Sequence, residues 1–158
     1  MSTDEDVFDE AEAHRYFSTS AFNRTWDLID QEDRTPVETE EMIHLAHASR
    51  WHWGQREDAT AENQSVAAWQ LSRVYAVAVR AEEARRYGVE SLTLATENDL
   101  SPFHVGYAHE ALARAAALLG EDELRDLHLA AARDEASTIE DQRRRKLLVA
   151  DLGTIPTD

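Results

Sequence analysis

The chain has 158 residues, which suffices for one domain with a hydrophobic core and is too short for two ordinary domains. Its 32 acidic and 16 basic residues give a formal charge of −16, which disfavours binding to nucleic acid or to anionic lipid. The lack of cysteine excludes a disulfide scaffold and a thiolate metal site.

Apolar residues recur three and four positions apart along the chain, which predicts an all-α protein of about seven helices. The first helix is expected from about Asp6 to Asp30, after an acidic disordered tail over residues 1–5. Residues 18–20, Ser-Thr-Ser, predict a weak point where this helix could bend. We expect one stripe of the helix to face the core, comprising Val7, Ala11, His14, Phe17, Ala21, Phe22, Trp26 and Ile29.

Capping signals mark the beginnings of the second and fifth helices. Thr35 is a predicted N-cap, with Pro36 in the first turn and Glu38 completing a capping box. Ser101 and Pro102 repeat the N-cap and first-turn signature. Because the connections are short, consecutive helices should pack antiparallel. The second helix is predicted to end near Gly54 and the fifth near Gly120. The third, fourth, sixth and seventh helices are predicted at 60–79, 81–98, 121–139 and 141–152.

Two helix pairs repeat with an offset of 41 residues, so that Leu71, Ser72, Tyr75, Ala84 and Ser91 align with Leu112, Ala113, Ala116, Arg125 and Ala132. Small residues at helix crossings and a turn glycine at Gly120 resemble the tetratricopeptide pattern. The first copy has Val79 in place of the turn glycine, and Arg125 replaces an expected alanine. The resemblance implies a right-handed stack of helical hairpins in a single domain over 1–158, with 60–139 as a degenerate repeat pair.

Three segments, residues 47–53, 69–75 and 107–114, also resemble a family of short, uncharacterised bacterial proteins that are similar to tetratricopeptide repeats. The resemblance extends over most of the chain from Thr35 onward. It implies a helical-repeat fold and supplies no catalytic residues.

A candidate metal site lies on the second helix, where Glu41, His44 and His47 are spaced three apart and share one face. Glu-x-x-His is the spacing of di-metal carboxylate bundles, but the chain contains no second such motif. Imidazoles from different helices could instead hold a single Zn²⁺ or Fe²⁺ ion. The alternative is that these histidines are surface or hydrogen-bonded residues. No other cofactor is predicted.

Polar residues within apolar stripes form a second candidate site between helices two, three and five. In the functional hypothesis, Arg73 binds an anionic ligand while His47 or Glu110 transfers a proton. In the structural hypothesis, the same residues form a network that fixes helix register, with Glu110 and Arg114 as an i,i+4 ion pair. The sequence leaves both hypotheses open.

Aromatic residues cluster in the second and third helices, and Trp51 and Tyr75 are added to the candidate binding residues. Such residues form a stacking platform in some binding proteins, and more often they fill a core.

The chain has no complete catalytic motif, and its five glycines leave little room for nucleotide-binding loops. We therefore expect a non-enzymatic interaction module that binds a protein or peptide partner in a concave groove. An exposed apolar edge favours self-association into a homodimer. The alternative is an enzyme or sensor that depends on a metal or small anion. The acidic first residues and the lack of a long apolar run predict a cytoplasmic protein without a membrane span. The resemblance to short bacterial proteins implies a bacterial source.

Overall fold

The computed structural model describes residues 8–158, and this part of the chain is entirely helical, without strands. The predicted acidic tail and the first residues of the predicted first helix, Asp6 and Val7, lie outside the described residues. Within residues 8–158, every helix is too short or too polar to serve as a transmembrane span. The seven helices are α1 (Glu10–Asp30), α2 (Pro36–Gln55), α3 (Ala61–Val77), α4 (Ala81–Glu97), α5 (Pro102–Leu119), α6 (Asp122–Thr138) and α7 (Gln142–Leu152).

Consecutive helices pack as three antiparallel hairpins, α1 with α2, α3 with α4 and α5 with α6, which confirms the predicted fold class. Helix α7 packs against both α5 and α6. The odd-numbered helices also contact one another in order, α1 with α3, α3 with α5 and α5 with α7. We call these four helices the inner row. Their shared side forms the candidate site.

Helix ends follow the capping signals of the sequence. Thr35 accepts a hydrogen bond from the amide of Glu38 at 3.2 Å, and the Glu38 carboxylate accepts one from the amide of Thr35 at 2.8 Å. This is the predicted capping box. Gly120 ends α5 with a φ of 72°, a left-handed conformation that glycine adopts without steric cost.

The 41-residue repeat corresponds to equivalent buried positions in the second and third hairpins. The aligned side chains are buried in both copies, including Ala84 and Ala132, where one helix closely approaches its partner. Arg125, which replaces an alanine, is also buried, and its guanidinium reaches Asp122 at 2.8 Å and Asp126 at 2.9 Å. These pairs let the helix accommodate a charged residue at a packing position.

The buried face of α1 differs from the predicted apolar stripe. The fully packed side chains are Ser18, Ala21 and Thr25, whereas Phe17 is 47% exposed. Small residues allow α2 to approach closely, and the buried hydroxyls are satisfied locally, since Ser18 donates to a carbonyl of its own helix and so does Thr25. Helix α1 continues without a break through residues 18–20, and the bend expected there stays a prediction.

Val79 occupies the turn between α3 and α4 with a φ of 59°, which is a strained conformation for a β-branched residue. The turn closes through a hydrogen bond of 2.8 Å from the amide of Arg80 to the carbonyl of Tyr75. Val79 is 75% exposed, so its side chain contributes little burial to offset the strain.

We expect Val79→Gly to raise the free energy of unfolding by about 0.5–1 kcal/mol, because relief of about 1–2 kcal/mol of left-handed strain exceeds the added entropy of the unfolded chain. Urea unfolding measures the change. The matched control is Val89→Gly in the interior of α4, which should lose about 0.5 kcal/mol or more. Equal destabilisation by both substitutions would contradict the strain at Val79.

A histidine pair joins α5 to α6, with Nδ1 of His109 3.0 Å from Nδ1 of His128. Burial lowers the pKa of both imidazoles, and the facing His128 lowers that of His109 further. As the pH falls below about 6.5, the unfolded chain therefore binds more protons at these two histidines than the folded chain does. The stability from this pair is fully present above that pH and is lost on acidification.

Wild type should consequently lose more unfolding free energy between about pH 7.5 and about pH 5 than the double variant His109→Gln/His128→Gln. Urea titrations at the two pH values give the comparison, and the variant corrects for the many carboxylates that titrate in both proteins. An identical pH dependence in the two proteins would show that the pair contributes nothing.

Candidate functional site

The inner row encloses a cavity of about 490 Å³, which we call the inner groove. Its lining comes from all four odd-numbered helices, with one residue from α4. The lining residues are Phe22, Trp26, Ile29, Asp30, Ser65, Val66, Trp69, Arg73, Ser91, Phe103, His104, Tyr107, Leu147 and Asp151.

Helical spacing explains why these side chains meet. On α3, Val66, Trp69 and Arg73 follow one another by three and four positions, which places them on one face of the helix. Phe22, Trp26 and Ile29 have the corresponding spacing on α1. The groove is therefore formed by apolar faces of neighbouring helices rather than by loops.

Aromatic rings form a continuous wall across three helices. Trp26 of α1 and Trp69 of α3 have ring centroids 5.5 Å apart, and Trp69 lies 5.1 Å from Tyr107 of α5. Phe103 extends the wall along α5, with its centroid 5.0 Å from that of Tyr107. All but Tyr107 remain partly exposed, so the wall presents accessible apolar surface.

A buried carboxylate organises the polar end of the groove. Glu110 is fully buried and accepts hydrogen bonds from Arg114 at 2.8 and 2.6 Å and from the Trp69 indole at 3.0 Å. Arg73 lies 3.4 Å from the same carboxylate. The i,i+4 ion pair expected in the structural hypothesis is thus present.

The network extends to α7 through Asp151. The Tyr107 hydroxyl donates to the Asp151 carboxylate at 2.6 Å, and Arg73 lies 3.7 Å from it. Burial, followed by the hydrogen bond to Asp151, raises the pKa of Tyr107, which keeps this hydroxyl a donor. Arg114 also donates to the main-chain carbonyl of Asp151 at 3.1 Å. The network therefore ties α3, α5 and α7 together.

The candidate residues fall into two groups, and the structure does not unite them. Arg73 and Glu110 meet at the groove, whereas His47 faces the other side of α3. There its Nε2 lies 2.7 Å from the hydroxyl of Tyr75, whose ring stacks on Tyr87 at 5.6 Å. Burial lowers the pKa of His47, as does Arg50. Proton transfer by His47 to a ligand at Arg73 gains no support from this placement.

Trp51 is 58% exposed, so the alternative that it fills the core does not hold, and its assignment as a binding residue stays a prediction. Its ring lies edge-on to His14 at 5.4 Å, on the outer side of the first hairpin. Tyr75, by contrast, is part of the core formed by α2, α3 and α4.

The predicted metal residues do not converge with further ligands. Glu41 and His44 are exposed, and Glu41 pairs with Arg24 at 3.1 Å. Across residues 8–158, no group of three or more His, Asp or Glu side chains is arranged to hold a metal ion. The metal site at Glu41, His44 and His47 stays a prediction without geometric support.

Sequence reasoning overlooked Trp69, Tyr107 and Asp151 as partners of Arg73 and Glu110. One available signal was the repeat offset, because Trp69 and Glu110 are separated by 41 residues and so are Arg73 and Arg114. Equivalent positions in successive hairpins lie next to each other along the inner row, which is how these four side chains meet.

Comparison of the chain with protein-family models, with curated proteins and with solved structures gives no match. Over residues 8–158 the structure shows seven helices, packed as adjacent antiparallel pairs. The resemblance to tetratricopeptide repeats stays a prediction.

We expect Glu110→Gln to lower the free energy of unfolding by about 3 kcal/mol, because two arginines then lose the buried charge that they face. Chemical denaturation measures this loss. The control is Glu83→Gln, which removes an exposed pair with Arg80 and should leave the free energy of unfolding almost unchanged, because water screens the pair. Similar effects at the two sites would argue against a buried network that stabilises the fold.

Proposed function

We propose that the inner groove binds a basic, amphipathic segment of a partner protein, and that the chain is a non-enzymatic, tetratricopeptide-like interaction module. The observation that carries the proposal is the aromatic wall of the groove, in which Trp26, Trp69 and Phe103 are partly exposed. Concentrated apolar surface in a concave site is typical of places where a partner buries its own apolar side chains.

The geometry of the wall suits a helical partner. The groove is lined by side chains that follow one another by three and four positions along α1 and α3. An amphipathic helix presents its apolar side chains at the same spacing, i, i+3, i+4 and i+7. Leu147 of α7 extends this surface and is 53% exposed.

Charge favours a basic partner. The chain carries a formal charge of −16, and the carboxylates of Asp30 and Asp151 line the groove itself. A further carboxylate, that of Glu62, lies 3.0 Å from His104 of the lining. Such a field raises the association rate of a positively charged segment and disfavours an acidic one.

The small-anion alternative is less compatible with the same contacts. Arg73 is the cation that would bind the anion, and it already faces Glu110 at 3.4 Å and Asp151 at 3.7 Å. An incoming anion would have to compete with these two carboxylates for the Arg73 guanidinium, so the peptide proposal is the better supported.

The proposal is tested with a synthetic amphipathic helix of leucine and lysine, titrated against the full chain and followed by tryptophan fluorescence. Leu147→Lys should weaken binding of this peptide by at least about tenfold, because it places a positively charged group in the groove, where it repels the lysines of the peptide. The matched control is Leu127→Lys on α6, where the side chain is 68% exposed and lies outside the groove lining.

Equal binding by wild type and the Leu147→Lys variant would contradict the proposal, and so would equal binding of a leucine and glutamate helix. Sedimentation equilibrium of the same samples without peptide tests the predicted homodimer independently.

A further inference from the structure

We propose that His14 of α1 and His52 of α2 form a binding site for a divalent transition-metal ion of the Zn²⁺ class, between the two helices of the first hairpin. The site is separate from the inner groove and does not depend on the function proposed for it. It also differs from the candidate set Glu41, His44 and His47, of which it uses no member.

Two imidazoles from different helices face each other at this site. Nδ1 of His14 on α1 lies 2.8 Å from Nδ1 of His52 on α2. Two neutral rings at this distance form one N–H···N hydrogen bond. When the donor ring carries its proton on Nε2 instead of Nδ1, both Nδ1 lone pairs are free to bind a metal ion. Two Zn–N bonds of about 2.0–2.1 Å at a tetrahedral angle place the nitrogens about 3.3 Å apart, so the rings need to separate by only about 0.5 Å.

A carboxylate is placed where ligating histidines usually have one. Oε1 of Glu10 lies 3.6 Å from Nε2 of His14, one helical turn away on α1. The distance is longer than a hydrogen bond, so the carboxylate acts on the ring through its negative charge, which favours the proton on Nε2 and leaves Nδ1 free to bind metal. Glu10 is thus a positioning residue for the site.

The second imidazole, that of His52, is oriented by neighbouring aromatic rings. The rings of Trp51 and Phe17 lie 5.0 and 5.4 Å from it and restrict its orientation.

An open basin gives the ion access and leaves space for water ligands. His14 lines this basin of about 810 Å³ together with four acidic residues, Asp9, Glu10, Glu57 and Asp58, and two arginines, Arg15 and Arg56, the second of which pairs with Asp58 at 2.7 Å. Carboxylates outnumber guanidinium groups in the basin, so the field near His14 favours a divalent cation. Imidazole ligands then select Zn²⁺, Ni²⁺ or Cu²⁺ over Mg²⁺ and Ca²⁺, which prefer oxygen.

The chain contains its own matched control. His109 and His128 face each other at a similar distance, 3.0 Å between the Nδ1 atoms. Among the described residues, however, no carboxylate lies within ion-pair distance of either ring. The comparison separates the effect of the carboxylate and basin from that of two adjacent imidazoles.

Calorimetric titration of the untagged full chain with ZnCl₂ tests the site. We expect wild type to bind Zn²⁺ and His52→Gln to lose at least about tenfold in affinity. Glu10→Gln should lose about tenfold through its effect on His14, and His128→Gln should bind as wild type does. Glu10 is exposed, so its variant keeps the test decisive even where His52→Gln perturbs the fold.

The proposal is overturned when wild type binds no Zn²⁺, or when MgCl₂ gives the same heat as ZnCl₂. It is equally overturned when His52→Gln or Glu10→Gln retains wild-type affinity. A loss in His128→Gln as large as that in His52→Gln would contradict the assignment to the first hairpin.

Discussion

The Glu110 carboxylate is buried where three helices meet, and the placement of those helices depends on the donors around it. Removing a carboxylate from water costs several kcal/mol, which only close and numerous partners can offset. Trp69 and Arg73 supply such contacts from α3, and Arg114 supplies them from α5. Arg114 also reaches the backbone of α7 at Asp151. A shift of any one helix would leave a charge without its partner, so the network fixes the inner row.

Helix ends were predictable because their causes are local. Thr35 and Glu38 satisfy each other's amides within one turn, and Gly120 adopts a backbone conformation that suits its lack of a side chain. The buried face of α1 was not predictable in this way. Which stripe is buried depends on the neighbouring helices, and α2 packs on the small residue Ala21 while the larger Phe22 turns to the groove.

The candidate site could be predicted in part. Arg73 and Glu110 were identified because they are polar residues within apolar stripes. The 41-residue offset relates Glu110 to Trp69 and Arg114 to Arg73. The structure places His47 apart from them, because spacing along one helix does not show which neighbouring helix a face contacts. In the structure its ring packs against Tyr75 and Tyr87, on the far side of α3.

The network also holds the groove in shape, since Glu110 fixes the indole of Trp69, on which Trp26 and Tyr107 pack. Because the aromatic wall is already ordered, less side-chain conformational entropy is lost when a partner binds. Amide hydrogen exchange of the full chain, with and without the leucine and lysine helix, tests this account most directly. It predicts added protection in α1, α3, α5 and α7 and little change in α6. Protection confined to α2, α4 and α6 would contradict the inner groove as the binding site.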